Sequence, residues 1–120
     1  MQTNYHLGEE GKRPWGTWKV IAMGKGYIVK KIIVNPLSSL SLQLHHHRGE
    51  HWLIAKGTAH ITLSSSTFDL SQGSCVDIPP KTPHRIQNLT PSPLEFIEIQ
   101  LGKILNEEDI VRFRDSYGRE

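Results

Sequence analysis

The chain has 120 residues, with 14 Lys and Arg against 12 Asp and Glu, for a net charge of +2 with its 7 histidines neutral. That length fits one domain burying roughly two-thirds of its unfolded surface, and the ordinary apolar content excludes global disorder. The absence of a basic stripe excludes nucleic acid as a partner, no apolar run is long enough for a membrane span, and the lone Cys75 excludes an internal disulfide. With no apolar signal core in MQTNYHLGEEGKRPWG, the expectation is a soluble cytoplasmic protein whose residues 1–12 form a flexible or arm-like segment.

Taken in chain order, the elements are short strands. GTWKVIAMG (16–24) ends at a glycine, and GYIVKKIIVNP (26–36) is β-branched and stops at an Asn-Pro turn. SLSLQLH (39–45) alternates, with Leu40, Leu42 and Leu44 on one face and Ser41, Gln43 and His45 on the other. EHWLIAKG (50–57) and TAHITLS (58–64) meet tightly at Gly57, as in a hairpin. TFDLS (67–71), SCVDIP (74–79), HRIQNLT (84–90) and LEFIEIQLG (94–102) follow, giving the strand spacing of a β-sandwich or barrel. The one helical expectation is NEEDIVRFRDSYG (106–118): Asn106 caps, acids fill the first turn, and Ile110, Val111 and Phe113 supply an apolar face. Asp109, Asp115 and Tyr117 are assigned to that helix and its exit, and Cys75 is expected to be buried and inert.

The run LQLHHHRGEHW (42–52) raises the question of which imidazoles bind a metal. In a strand Gln43, His45 and His47 share a face and His46 points away, while Glu50, Trp52 and Ile54 share a face further on. Parity alone does not say which face looks inward. His46 and His51 have the wrong parity and read as outer residues, Trp52 reads as packing, and Trp15 and Trp18 as core or dimer contacts. His6 and His60 have no motif support.

The spacing Gln43-x-His45-x4-Glu50-x6-Gly57 resembles the first cupin motif, with Gln43 where a histidine usually stands and Leu37 at the usual initial glycine. Gly73-x5-Pro79-x-Lys81-x2-His84-x3-Asn88 resembles the second, with Lys81 in place of a glycine. The resemblance implies an all-β cupin fold, a double-stranded β-helix or jelly-roll barrel, here with a short C-terminal helix. It also implies metal ligands Gln43, His45, Glu50 and His84. Such a set suits a divalent ion, Zn²⁺ first, with Co²⁺, Mn²⁺ or Fe²⁺ as alternatives. One carboxylate on a dication leaves a net positive site that favours an anionic ligand.

Gln43-x-His45-x2-Arg48-x-Glu50-x-Trp52 is similar to the signature of type II phosphomannose isomerases, and RPWGTW, YIVKKIIV, IPPKTPHRIQN and DIVRFRDSYGR resemble the same family. In that family this domain often follows a mannose-1-phosphate guanylyltransferase, so the chain reads as a free-standing isomerase. The resemblance implies interconversion of mannose 6-phosphate and fructose 6-phosphate through a cis-enediol, which needs charge stabilisation at the sugar oxygens and a base with a pKa near neutrality. By the same resemblance, Arg48 is expected to hold the sugar or its developing charge. His47, Glu98 and Lys56 are candidate bases, His47 foremost because it shares parity with His45. Arg85, Lys81, Lys30 and Arg13 are candidate phosphate contacts. Cupins often pair through edge strands, so a homodimer using the N-terminal segment is expected. Two alternatives stand beside this reading: a non-catalytic sugar- or nucleotide-sugar-binding cupin, and another metal-dependent cupin enzyme.

Overall fold

The computed structural model describes residues 1–114. Its first sheet collects the long β-branched segments. They are β3 (Gly16–Gly24), β4 (Tyr27–Val34), β7 (Arg48–Lys56) and β12 (Leu94–Gly102), flanked by β2 (Glu10–Arg13) and β10 (Cys75–Ile78). The order is β10-β7-β12-β4-β3-β2, with every pairing antiparallel. The second sheet holds β6 (Leu42–Leu44), β8 (Thr58–Leu63), β9 (Ser66–Ser71), β11 (His84–Asn88) and β14 (Val111–Arg114). Its order is β14-β6-β11-β8-β9, with β5 (Ser38–Ser39) also paired to β11. A short parallel pair joins β1 (Gln2–Thr3) to β13 (Ile104–Leu105).

Alternation sorts the side chains. On β4, β7 and β12 every second residue is buried, and the fully covered Ile28, Val34, Ile54, Leu94 and Phe96 meet Ile61 and Ile86 of the other sheet. The cross-strand row Trp18–Ile32–Phe96–Ile54 is apolar. The next row, Val20–Lys30–Glu98–Trp52, carries an acid and a base, and beyond it Gln100 lies opposite Glu50. The inner faces therefore grade from hydrocarbon to charge along the strands, and the charged end is where the site lies. The turn joining β7 to β8 needs its glycine: Gly57 has φ 85°, and a Cβ there would lie 2.9 Å from the Pro93 carbonyl oxygen.

Four expectations are corrected. Residues 1–12 are not an arm: β1 and β2 pair within the chain, and Tyr5 is buried. The 39–45 strand is interrupted. Four positions separate Ser39 from Gln43, whereas their partners Gln87 and His84 are three apart, so one extra residue is inserted and side-chain parity flips across it. No helix forms over 106–114; after a turn at Glu107–Glu108 the chain extends as β14 against β6, and residues 115–118 of the expected helix lie outside the described residues. Long-range pairing overrides local propensity there. Cys75 is exposed, because β10 is an edge strand and Cys75 alternates with the inward-facing Val76.

Candidate metal centre

Three elements converge at the charged end. β7 turns Arg48, Glu50 and Trp52 inward on successive alternate positions, and all three are buried. β11 opens with buried His84, whose register partner on β6 is Gln43. His45 follows β6 directly and is 3 % exposed. His45, Glu50 and His84 place their ligating atoms within 4.8 Å of one another. His45 Nε2 lies 3.2 Å from Glu50 Oε2, and His84 Nε2 lies 4.0 Å from Glu50 Oε1.

Both imidazoles are aimed. His45 Nδ1 is 2.6 Å from the Asp109 carbonyl, and His84 Nδ1 is 2.9 Å from the Thr82 carbonyl. A carbonyl only accepts, so Nδ1 carries the proton in each ring and the Nε2 lone pair faces Glu50. Burial lowers the His45 pKa to about 4 against the pull of Glu50, and burial also lowers that of His84. Burial works to raise the Glu50 pKa, but the Arg48 cation and the two imidazoles outweigh it and hold the carboxyl well below its usual range. Two neutral imidazoles and an ionised carboxylate are the donor set of a borderline divalent ion. Glu50 also accepts from Arg48 Nε at 2.8 Å and from Trp52 Nε1 at 2.9 Å. A carboxylate has about four lone-pair directions, so those bonds orient it without exhausting it. The residues present thus fit a metal. Gln43 borders the same cavity, with its amide nitrogen 3.3 Å from Ser41 Oγ.

The cavity beside this cluster is lined by Tyr5, Trp18, Lys30, Gln43, Arg48 and Glu98, among others. Lys30 Nζ donates to the Tyr5 hydroxyl at 2.7 Å and lies 4.0 Å from the Tyr5 ring centre and 4.3 Å from that of Trp18. Burial lowers its pKa to about 8, opposed by Glu98. Burial, then the Glu50 charge, raises the pKa of Glu98 to about 7, opposed by Lys30. The guanidinium of Arg48 ties the cluster to the chain's later part: Nη2 is 3.3 Å from His45 Nε2 and Nη1 donates to the Asn106 carbonyl at 3.3 Å.

Of the sequence candidates, Gln43, His45, Arg48, Glu98, Lys30 and Arg13 all border this cavity, and Glu50 and His84 adjoin it in the cluster. His47 does not border it: β6 ends at Leu44 and the bend at 46–47 leaves its side chain exposed beside His46, and the backbone N–H groups of both donate to the Asp109 carboxylate. Lys56 is exposed at the far end of β7, and Lys81 is exposed with φ 61°. Arg85 alternates with His84 on β11 and donates to the Leu40 carbonyl. Sequence reasoning missed Tyr5, Asn106 and Asp109. Tyr5 sits in a polar stretch without periodicity, and Asp109 looks like a first-turn helix acid.

Residues 1–115 match the model of a family described as mannose-6-phosphate isomerase C-terminal. The chain is 47 % identical over 118 residues to the alginate biosynthesis protein AlgA of Pseudomonas putida, a match covering 98 % of this chain and 24 % of that protein. It is 42 % identical over 115 residues to the mannose-1-phosphate guanylyltransferase ManC of Salmonella typhimurium, covering 96 % and 24 %. It therefore spans about a quarter of the length of the curated relatives it matches. Among solved structures, the Cnp3 cupin domain of Schizosaccharomyces pombe superimposes with a TM-score of 0.71 at 10 % identity, covering 77 % of this chain and 68 % of that one. A Klebsiella pneumoniae protein with a double-stranded β-helix domain gives 0.69 at 16 % identity, covering 94 % and 91 %. These likenesses establish the all-β cupin architecture and nothing about chemistry.

Proposed function

The chain belongs to the mannose-6-phosphate isomerase C-terminal family, and from that premise we propose that it is a metal-dependent aldose–ketose isomerase acting on mannose 6-phosphate and fructose 6-phosphate. The observation that carries the reading is the pair of buried imidazoles. Each has Nδ1 committed to a backbone carbonyl and Nε2 turned to Glu50, beside a cavity that also holds Arg48 and Glu98.

His45, His84, Glu50 and Gln43 would hold the metal. When bound, a divalent ion supplies Lewis acidity toward the charge that develops on the sugar's carbonyl oxygen. The rest of the work falls to side chains of this chain. Arg48 presents a permanently charged fork to the same oxygens, its angle set by Glu50 and the Asn106 carbonyl. Glu98 is the base this geometry favours over exposed His47 and Lys56: its carboxylate takes the proton from C2 and returns it to C1 through the cis-enediol. A pKa of about 7 suits both directions. Lys30 faces Glu98 directly across the strands and favours its ionised form. Trp18 and Tyr5 close the cavity against water.

A second reading, a sugar-phosphate-binding module without catalysis, has one observation in its favour. Arg48 already bridges Glu50 and His45, so a cation meets the carboxylate within the protein itself. One assay separates the two: conversion of mannose 6-phosphate to fructose 6-phosphate by the purified chain, with EDTA and then with Zn²⁺, Co²⁺ or Mn²⁺ restored. The isomerase reading expects turnover that EDTA removes and a metal restores. It also expects Glu98→Gln to lower kcat by about 10²–10⁴ with metal content unchanged. Absence of turnover with every metal leaves the binding module.

A further inference from the structure

We propose that the mouth of the cavity, formed by Arg13, Glu107 and Arg112, is the seat of a phosphomonoester, and that the Glu107 carboxylate occupies the phosphate's place until substrate displaces it. The inference rests on the phosphosugar reading above and adds the residues that select the phosphate.

Arg13, Glu107, Ile110 and Arg112 line both the cavity and the shallower depression outside it, so they form its threshold. Arg13 is held ready: Nη1 donates to the Lys12 carbonyl at 2.8 Å, and the guanidinium lies 5.5 Å from the Trp18 ring centre. Its other terminal nitrogen, Nη2, pairs with Glu107. A carboxylate paired with an arginine at a cavity mouth is an oxyanion site already filled by the protein. Both partners are partly exposed, at 27 % and 43 % of their side chains, so the pair is weakly held. A dianionic phosphate brings a third oxygen and a second negative charge to the two guanidinium groups, and its charge-assisted bonds outcompete a carboxylate.

The other cations considered for this role are placed badly for it. Lys30 is buried and committed to Tyr5, while Lys81 and Arg85 do not border the cavity. Glu108 lines the outer depression and opposes an entering anion, which favours approach from the Arg13 side. The exchange also reaches the centre. Glu107 follows Asn106, whose carbonyl accepts from Arg48, and precedes by two residues Asp109, whose carbonyl aims His45. An anion that takes Glu107's place acts on the segment that sets both.

The test is titration of the purified chain with inorganic phosphate at constant ionic strength, followed by calorimetry and by ³¹P line width. Glu107→Gln is expected to tighten phosphate several-fold. Arg13→Gln and Arg112→Gln are each expected to weaken it on the order of tenfold, the loss of one charge-assisted contact. His84→Ala should leave phosphate affinity within twofold, and mannose 6-phosphate should compete where mannose does not. Unchanged or weaker binding in Glu107→Gln overturns the proposal, as does binding lost in His84→Ala and kept in Arg13→Gln. Should an arginine variant fail to fold by circular dichroism, the isosteric Glu107→Gln change at a partly exposed position carries the decision alone. The failures are separable. Turnover with a flat phosphate series sinks this inference and leaves the isomerase, whereas the expected phosphate series without turnover sinks the isomerase alone.

Discussion

Replacing Arg48 with leucine tests the electrostatics of the centre directly. The guanidinium is 7 % exposed and the Glu50 side chain 1 %, and Arg48 heads the influences that keep Glu50 ionised. Removing it strands a buried carboxylate left with uncharged donors such as the Trp52 indole. Breaking one side of a buried ion pair costs about 3–5 kcal/mol. For a domain of this size roughly 3–4 °C of melting temperature is lost per kcal/mol, so R48L should melt on the order of 10–20 °C lower.

The pH dependence adds a sign. In the native chain the Glu50 pKa is depressed below its ordinary 4.5, so the pair's contribution is complete above that value and fades as pH falls through the folded pKa. In R48L desolvation wins and the folded pKa rises above the unfolded one. Its contribution is then complete at low pH and lost as pH climbs. The deficit against the native chain must therefore be larger at pH 8 than at pH 5. Thermal melts followed by circular dichroism in EDTA at both pH values measure this. A loss under about 1 kcal/mol, or an equal loss at the two pH values, would refute the reasoning.

Metal analysis of dialysed protein should find the ion lost in His84→Ala and retained in His46→Ala, since only the former imidazole faces Glu50. With the His45 pKa at about 4 and that of His84 also lowered, protons should compete poorly for the ligands. Chelator competition should show less than about a threefold change in metal affinity between pH 7.5 and 5.5, where two ordinary imidazoles would lose on the order of 100-fold. Lys81→Gly should stabilise the fold by about 0.5–1 kcal/mol, the left-handed penalty at φ 61° less the added chain entropy of glycine, read as a denaturation midpoint shifted upward with unchanged slope. Cys75 should react fully with a thiol reagent in the native protein; protection until unfolding would contradict its edge-strand exposure.

The strands were readable where both of a strand's faces obey alternation. GTWKVIAMG and LEFIEIQLG form β3 and β12 to the residue, because β-branched and aromatic side chains at period two have one good way to be buried. The convergence of His45, Glu50 and His84 was readable because they sit on two gapped motifs, and the spacing from His45 to Glu50 spans one turn between two strands. What the sequence hid was the inserted residue near Leu40, which depends on how β5 and β6 register against β11. The parity argument that put His47 beside His45 failed for a different reason: β6 ends at Leu44 and the chain bends at 46–47, so strand alternation does not carry past His45. Two departures from the cupin pattern, Leu37 and Lys81, fall on left-handed residues at φ 54° and 61°. Their glycines answer a backbone demand that the strand pattern does not reveal. The loop at Asn106–Ile110 hid for another reason: its partners lie far back in the chain, and locally it satisfies every rule for a helix.

The two histidines are aimed by carbonyls at very different distances along the chain. His84 takes its bearing from Thr82, two residues away, and His45 from Asp109, 64 residues away. The first contact closes as soon as a local turn forms, whereas the second must close a long loop. Assembly of the centre is therefore staggered. A chain still emerging from synthesis, with its strands already paired but Asp109 not yet docked, holds one histidine oriented for a metal and the other still turning. Under the metal-centre reading, the donor set is fully aimed only once Asp109 has docked, so ion capture would follow strand pairing rather than accompany it.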